Sequence, residues 1–305
     1  MRLNTIATSL WASAGLILAG ASASAQDVTQ ELEIVGAPVQ GLMGFQPAAT
    51  ELARDVQWLD HWLLVLITVI TLFVTGLMIW IAIRFNHKSN PTPRTFTHNS
   101  PLEVAWTIVP IIILVFVGAF SLPILFKQQE IPEADITIKV TGYQWYWGYE
   151  YVDEGVAFES RLIDAAYFIP EDEDGNWGSG QPMDTPYSMN DVAREKLAYY
   201  GWTENEFLLA TDQSVVVPIG ATIVMQLTGA DVIHSWTIPA FGVKQDAVPG
   251  RLSQLWFAAE REGIYFGQCS ELCGKDHAYM PITVKVVSQE TYDAWLIEAK
   301  DINGV

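Results

Sequence analysis

The chain has 305 residues, with 35 Asp or Glu against 16 Lys or Arg, a formal charge of −19, and half of its residues are hydrophobic. That hydrophobicity excludes global disorder, the sign of the charge excludes nucleic-acid binding through phosphate contacts, and two cysteines cannot staple a secreted scaffold of this size. Acidity and hydrophobicity must therefore occupy different parts of the chain.

At the N-terminus, Arg2 precedes an apolar run over 6–20 and then the small residues of 21–25, with Ala23 and Ala25 placed to suit a signal peptidase. This pattern predicts a signal peptide over 1–25 and a mature chain starting at Gln26. An uncleaved anchor is the alternative, but the run is short for a span. An exported segment, 26–57, follows.

Residues 62–83 form a run of 22 without a charge, and 104–126 a run of 23. As helices, both are long enough to cross a hydrocarbon core of about 30 Å. Pro110 and Pro123 are expected to bend the second helix or end it early. Trp58, Trp62, Trp80 and Trp106 lie near the span ends, where indole rings favour the interface. A transmembrane hairpin over 58–127 is predicted, with two buried core helices as the alternative. The connecting loop holds Arg84, Lys88 and Arg94 against the single acid Glu103, which makes it cytoplasmic. An exported N-terminus and an even number of spans place everything beyond Phe126 outside, in the periplasm or its equivalent.

That exported region carries the charge: from Lys127 onward there are 28 acids and 11 bases. Such a domain steers cationic partners, although acidity also serves solubility alone. Short β-rich runs recur at 135–140, 143–151, 214–217, 222–227, 232–238, 252–257, 263–266 and 282–287, separated by turn signals. They predict an antiparallel sandwich or barrel over 128–305. Residues 170–206 interrupt the pattern and read as a surface insertion, with a short helix from Asp191 to Tyr200. The acidic stretch 171–176 lacks the ligand order of a calcium loop. Residues 290–300 read as a closing helix capped by Ser288.

The chemistry concentrates at 267–280. The only two cysteines, Cys269 and Cys273, are four residues apart, with His277 four residues later and Met280 three beyond it. His234 is the other histidine of the exported region, on a predicted strand. Two thiolates, two imidazoles and a thioether form a soft-to-intermediate donor set that suits copper. One copper would have a thiolate too many, whereas two thiolates can bridge two coppers and leave an imidazole for each. A Cys269–Cys273 disulfide is the bland alternative in an oxidising compartment, and zinc accepts two Cys and two His. His277, Met280 and His234 weigh against the disulfide, and zinc has no use for Met280.

At these residues the chain resembles subunit II of the haem–copper cytochrome c oxidases, of the bacterial type. The resemblance spans the hairpin, the run 144–147, the run 232–236, the run 246–251 and the Cys-x-Glu-x-Cys-x-x-x-His-x-x-Met loop. It implies a cupredoxin-like β-barrel with a dinuclear copper A centre, in a bacterial inner membrane. Carried over, Cys269 and Cys273 bridge both coppers. His234 and Met280 complete one, while His277 and the Glu271 carbonyl complete the other. The Glu271 side chain would help bind a magnesium ion shared with subunit I.

The resemblance also marks Trp145 as the residue of electron uptake from cytochrome c, Asp231, Glu150 and Asp153 as docking acids, and Glu103 as the mouth of a proton channel in subunit I. Expected partners are cytochrome c, subunit I with its haem a, further oxidase subunits and the lipid bilayer. A quinol oxidase subunit would lack the copper ligands. Nitrous oxide reductase needs a propeller domain for which there is no room, and a membrane-tethered copper carrier needs exchangeable, solvent-open ligands.

Overall fold

A computed structural model describes residues 32–92, 94–164 and 187–305. The chain divides into two compact units, Arg54–Glu130 and the rest. The proposed signal peptide and the acidic stretch 171–176 lie outside the described residues.

The helical unit is built from α1 (Glu51–Arg84) and α2 (Ser100–Gln129). Both are long and apolar enough to cross a membrane, and their apolar windows are unburied within the chain. The helices extend beyond the uncharged runs because polar residues continue them at each end. Asn99 caps α2 by accepting from the Leu102 N–H at 3.2 Å, and Glu103 Oε1 accepts from the Asn99 N–H at 3.0 Å. Of the two outcomes expected of Pro110 and Pro123, a bend or an early end, the early end does not occur: both lie inside α2. Proline forfeits one backbone hydrogen bond, and an apolar helix has no better alternative for its remaining backbone groups. Lys127 and Asp55 pair at 2.7 Å, and Trp58 meets Phe120 at 6.0 Å between ring centroids, so the two helices of the hairpin touch near their outer ends.

The second unit begins with β1 (Ile34–Gly36) and resumes after the hairpin with β2 (Ile136–Tyr143), β3 (Tyr146–Tyr151) and β4 (Val156–Ser160). A helix, α3 (Asp191–Tyr199), precedes β5 (Val215–Pro218), β6 (Thr222–Gly229), β7 (His234–Ile238), β8 (Val243–Ala247), β9 (Ser253–Ala258), β10 (Gly263–Gln268) and β11 (Pro281–Val287). The closing helix is α4 (Gln289–Asn303), whose N-cap Ser288 accepts from the Thr291 N–H at 3.1 Å.

One sheet has the order β1-β10-β11-β5 and the other β4-β3-β2-β6-β9, with β7-β8 as a separate hairpin. The sheets are mixed rather than purely antiparallel. The pairs β1–β10, β11–β5 and β2–β6 run parallel, because the chain leaves each sheet and returns by a long crossover. Alternation drives the layering: along β2 and β3 the buried residues Ile138, Val140, Trp147, Tyr149 and Tyr151 face Tyr265, Ile282, Val284 and Val286 of the opposing sheet.

The aromatic run 143–151 is not one strand. It is the end of β2, a turn at Gln144 and Trp145, and β3. Neither Gly nor Pro marks that turn, so the period-two pattern ran straight through it. The described part of the insertion holds the expected short helix, α3, and it is also packed on the sandwich. Leu197 and Trp202 bury against Ile264 and Phe266 of β10, forming a second, smaller core.

Tyr151 fastens the sheets together. Its hydroxyl donates to the Val216 carbonyl at 2.7 Å and accepts from the Val216 N–H at 3.0 Å, inside the core. Tyr151→Phe leaves both backbone groups without that partner, so chemical unfolding should show a loss of about 1–3 kcal/mol.

Candidate metal centre

The metal loop connects β10 to β11 at one end of the sandwich. Its two ends are tied by the Cys269 N–H donating to the Met280 carbonyl at 3.1 Å, and the Ser270 N–H bonds the Ser235 carbonyl at 2.9 Å. The second bond draws β7 against the loop. Gly267 makes that approach possible, since a Cβ there would lie 1.8 Å from the Thr237 carbonyl oxygen. Gly142 does the same from the other side: a Cβ would lie 2.8 Å from the ring of His234. Both glycines interrupt strands, the local sign of close backbone approach.

His234, Cys269, Cys273 and Met280 are all buried, and both cysteines are free thiols. The Sγ atoms lie 3.9 Å apart. His234 Nδ1 stands 3.9 Å from Cys269 Sγ, and His277 Nδ1 stands 3.6 Å from Cys273 Sγ. Met280 Sδ is 3.5 Å from Cys273 Sγ, and the Glu271 carbonyl is 3.3 Å from Cys269 Sγ. Two sulfurs thus lie at the centre with an imidazole on each side. The reactive atoms of His234, Cys269 and Cys273 fall within 4.8 Å of one another, a grouping fit for a metal.

Burial disfavours a thiolate at Cys269, but hydrogen bonds from His234 and the surrounding backbone prevail and lower it to about 7. Cys273 is pushed up to about 12 by burial and by the charge of Cys269 beside it. The site accepts one negative charge by itself and resists a second. A soft cation between the sulfurs removes that resistance, so the donor chemistry fits copper.

Asp231 does more than its exposed position suggests. Its Oδ1 accepts from His234 Nε2 at 2.9 Å, its Oδ2 accepts from the Gln144 N–H at 2.8 Å, and burial is outweighed by these bonds, which hold its carboxyl below the usual range. It therefore turns Nδ1 of His234 towards the sulfurs. Gln144 was not singled out from the sequence, yet its Nε2 donates to the Cys273 carbonyl at 2.9 Å; Trp145 Nε1 donates to the same oxygen at 3.3 Å. No motif signals this contact, because it depends on where the β2–β3 turn lands.

Glu271 is exposed on the loop. Glu150 is also exposed, paired with Lys139 at 3.1 Å. It lies near the far end of β3 from Trp145, and Asp153 follows in the next turn, so neither is brought to the metal loop. Glu103 lies in the other unit, in the first turn of α2.

Two apolar helices and a β-sandwich that gathers soft donors at one end define a membrane-anchored, cupredoxin-like protein. The family described as cytochrome C oxidase subunit II, periplasmic domain, matches residues 136–174 and 192–287, and that of its transmembrane domain matches 38–124. Cytochrome c oxidase subunit 2 of Cereibacter sphaeroides is 58% identical over 98% of this chain and 93% of its own. The probable cytochrome c oxidase subunit 2 of Rickettsia bellii is 39% identical over 85% and 84%. The crystallised periplasmic domain of cytochrome oxidase subunit II from Bradyrhizobium japonicum is 41% identical, with a TM-score of 0.41 over 57% of this chain and 99% of that one. The chain belongs to the cytochrome c oxidase subunit II family, and as such is an oxidoreductase subunit anchored in a membrane with a periplasmic domain.

Replacing Asp231 with Ala removes the partner of His234 Nε2 and of the Gln144 N–H. Metal affinity, measured by competition with a chelator, is expected to fall about 10–100-fold.

Proposed function

We propose that this subunit takes electrons from cytochrome c at a dinuclear copper A centre and passes them to haem a of subunit I. The observation that carries the reading is the arrangement of two buried, unbonded sulfurs with an imidazole 3.9 Å from one and 3.6 Å from the other. Cys269 and Cys273 would bridge the coppers, His234 and Met280 would complete one, and His277 with the Glu271 carbonyl the other. Such a pair, when bound, supplies a one-electron carrier whose charge is spread over both ions.

The chain's own residues do the rest. Met280 and the core aromatics exclude water from the sulfurs, and Asp231 fixes the orientation of His234. Trp145 is half-buried, and its indole N–H bonds the carbonyl of Cys273. A short covalent route then leads to a bridging sulfur, which supports Trp145 as the point of electron uptake. Asp231 lies on this surface and suits a basic cytochrome c; Glu150 and Asp153 would meet the outer part of a docked partner. The carboxylate of Glu271, exposed on the loop, would help bind a magnesium ion shared with subunit I.

Several finer assignments belong to the same reading. These are a cleaved signal peptide over 1–25, a hairpin over 58–127, a copper domain over 128–305 and a bacterial inner-membrane location. Dioxygen reduction and proton pumping fall to subunit I.

Electron paramagnetic resonance of the copper-loaded chain tests the assignment. A seven-line copper hyperfine pattern is expected, and Cys269→Ser or His277→Ala should abolish both it and oxidase turnover. Wild-type turnover in either variant contradicts the reading.

Glu103 is proposed at the mouth of a proton channel in subunit I. Because its carboxylate also caps α2, Glu103→Gln is the discriminating change: the amide oxygen keeps the bond to the Asn99 N–H. Slower proton uptake with an unchanged copper spectrum is the expected result, and normal proton-coupled turnover removes the role.

A further inference from the structure

The described part of the insertion is anchored to the strand that delivers Cys269. Asn190 caps α3 by accepting from the Ala193 N–H at 2.8 Å, and Lys196 Nζ donates to the Asp164 carbonyl at 2.8 Å. Leu197 and Trp202 pack on Ile264 and Phe266 of β10. Tyr187, three residues before that cap, is thereby presented from a packed support.

Its ring lies flat on Tyr279, with centroids 3.5 Å apart and planes 4° from parallel. Tyr279 stands between His277 and Met280, two of the proposed ligands. The Tyr187 hydroxyl also hydrogen-bonds the carboxylate of Asp276, the residue before His277. Asp276 occupies the N-cap of the short 3-10 turn His277–Tyr279 without capping it through its side chain. The carboxylate instead takes the Tyr187 hydroxyl and pairs with Lys275, whose ammonium sits 4.6 Å over the Trp145 ring. Contacts therefore run without a break from the insertion, through the ligand turn, to the indole.

The turn itself has few bonds: the Tyr279 N–H donates to the Asp276 carbonyl at 2.9 Å, and Met280 beyond it is tied to the Cys269 N–H. A 3-10 turn has poorer hydrogen-bond geometry than an α-helix, and the His277 N–H reaches the Gly274 carbonyl only at 3.4 Å. We propose that Tyr187 is a positioning residue for the metal loop: its ring and hydroxyl clamp the turn that carries His277 and Met280, and through Asp276 and Lys275 they seat Trp145. The described part of the insertion, from Tyr187 onward, thus braces the metal loop. In its effect on bound copper the inference rests on the copper reading above, but the clamp itself concerns only this chain's residues.

Hydrogen exchange of the metal-free full chain in detergent decides the clamp independently of the metal. In Tyr187→Ala the amides of 274–280 should exchange about tenfold faster, with β10 and β11 unchanged. Equal exchange overturns the clamp, whether or not the chain binds copper. Tyr187→Phe keeps the stack and poses no risk to the fold. An acceleration of about threefold at the same amides is expected from the lost hydrogen bond, and none at all overturns the hydroxyl's part. In the copper-loaded chain, Tyr187→Ala should release copper to a chelator about tenfold faster and alter the hyperfine splitting, with Tyr187→Phe recovering most of both. A wild-type release rate and spectrum in Tyr187→Ala overturns the proposal.

Discussion

Two buried sulfur atoms held side by side, where charge on one opposes charge on the other, are the constraint on which the periplasmic domain turns. Hydrogen bonds outweigh burial and hold the Cys269 thiol below the usual range, while burial and then the charge of Cys269 beside it push the Cys273 thiol up. An apolar sandwich end tolerates one such charge when hydrogen bonds support it, and penalises a second heavily. The loop nevertheless keeps the thiols together, unbonded to each other, with an imidazole facing each. A soft cation held between the sulfurs would relieve that repulsion.

The fold exists, in this respect, to bring three separate pieces of chain to one point. β10 and β11 supply the two ends of the loop, β7 supplies His234, and the β2–β3 turn supplies Gln144 and Trp145. Each approach is close enough to need a missing side chain, at Gly267 where β7 crosses and at Gly142 beneath the His234 ring. The mixed sheets follow from the same demand, since pieces distant in sequence become neighbours through long crossovers. The helical hairpin obeys a different rule: its residues are chosen to be apolar outward, and the polar devices sit at the ends, in the Asn99–Glu103 cap and the Lys127–Asp55 pair.

Asp231 shows how one carboxylate can serve two readings. From the sequence it is a surface acid three residues before a ligand. In the fold it is also the hydrogen-bond partner that selects which imidazole nitrogen of His234 faces the sulfurs, the arrangement common to metal-bound histidines. Glu103 is similar: the residue proposed for a proton-channel mouth also closes a helix terminus.

Local pattern alone was enough for the two long apolar helices, for most strands of the sandwich, for the capped closing helix and for singling out the stretch 267–280. Long uncharged runs, period-two alternation and donor spacing are all properties of neighbouring residues. The short strands β1, β4 and β8 escaped it, being too brief or too polar to show alternation, and the β2–β3 turn was hidden inside an aromatic run. Only the tertiary structure decided the parallel pairings, the role of Asp231, the bonds of Gln144 and Trp145 to the Cys273 carbonyl, and the seating of Tyr187 on Tyr279. Apart from the Asp231–His234 bond, those contacts join residues dozens of positions apart, and their geometry is set by how the layers pack, which no local spacing encodes.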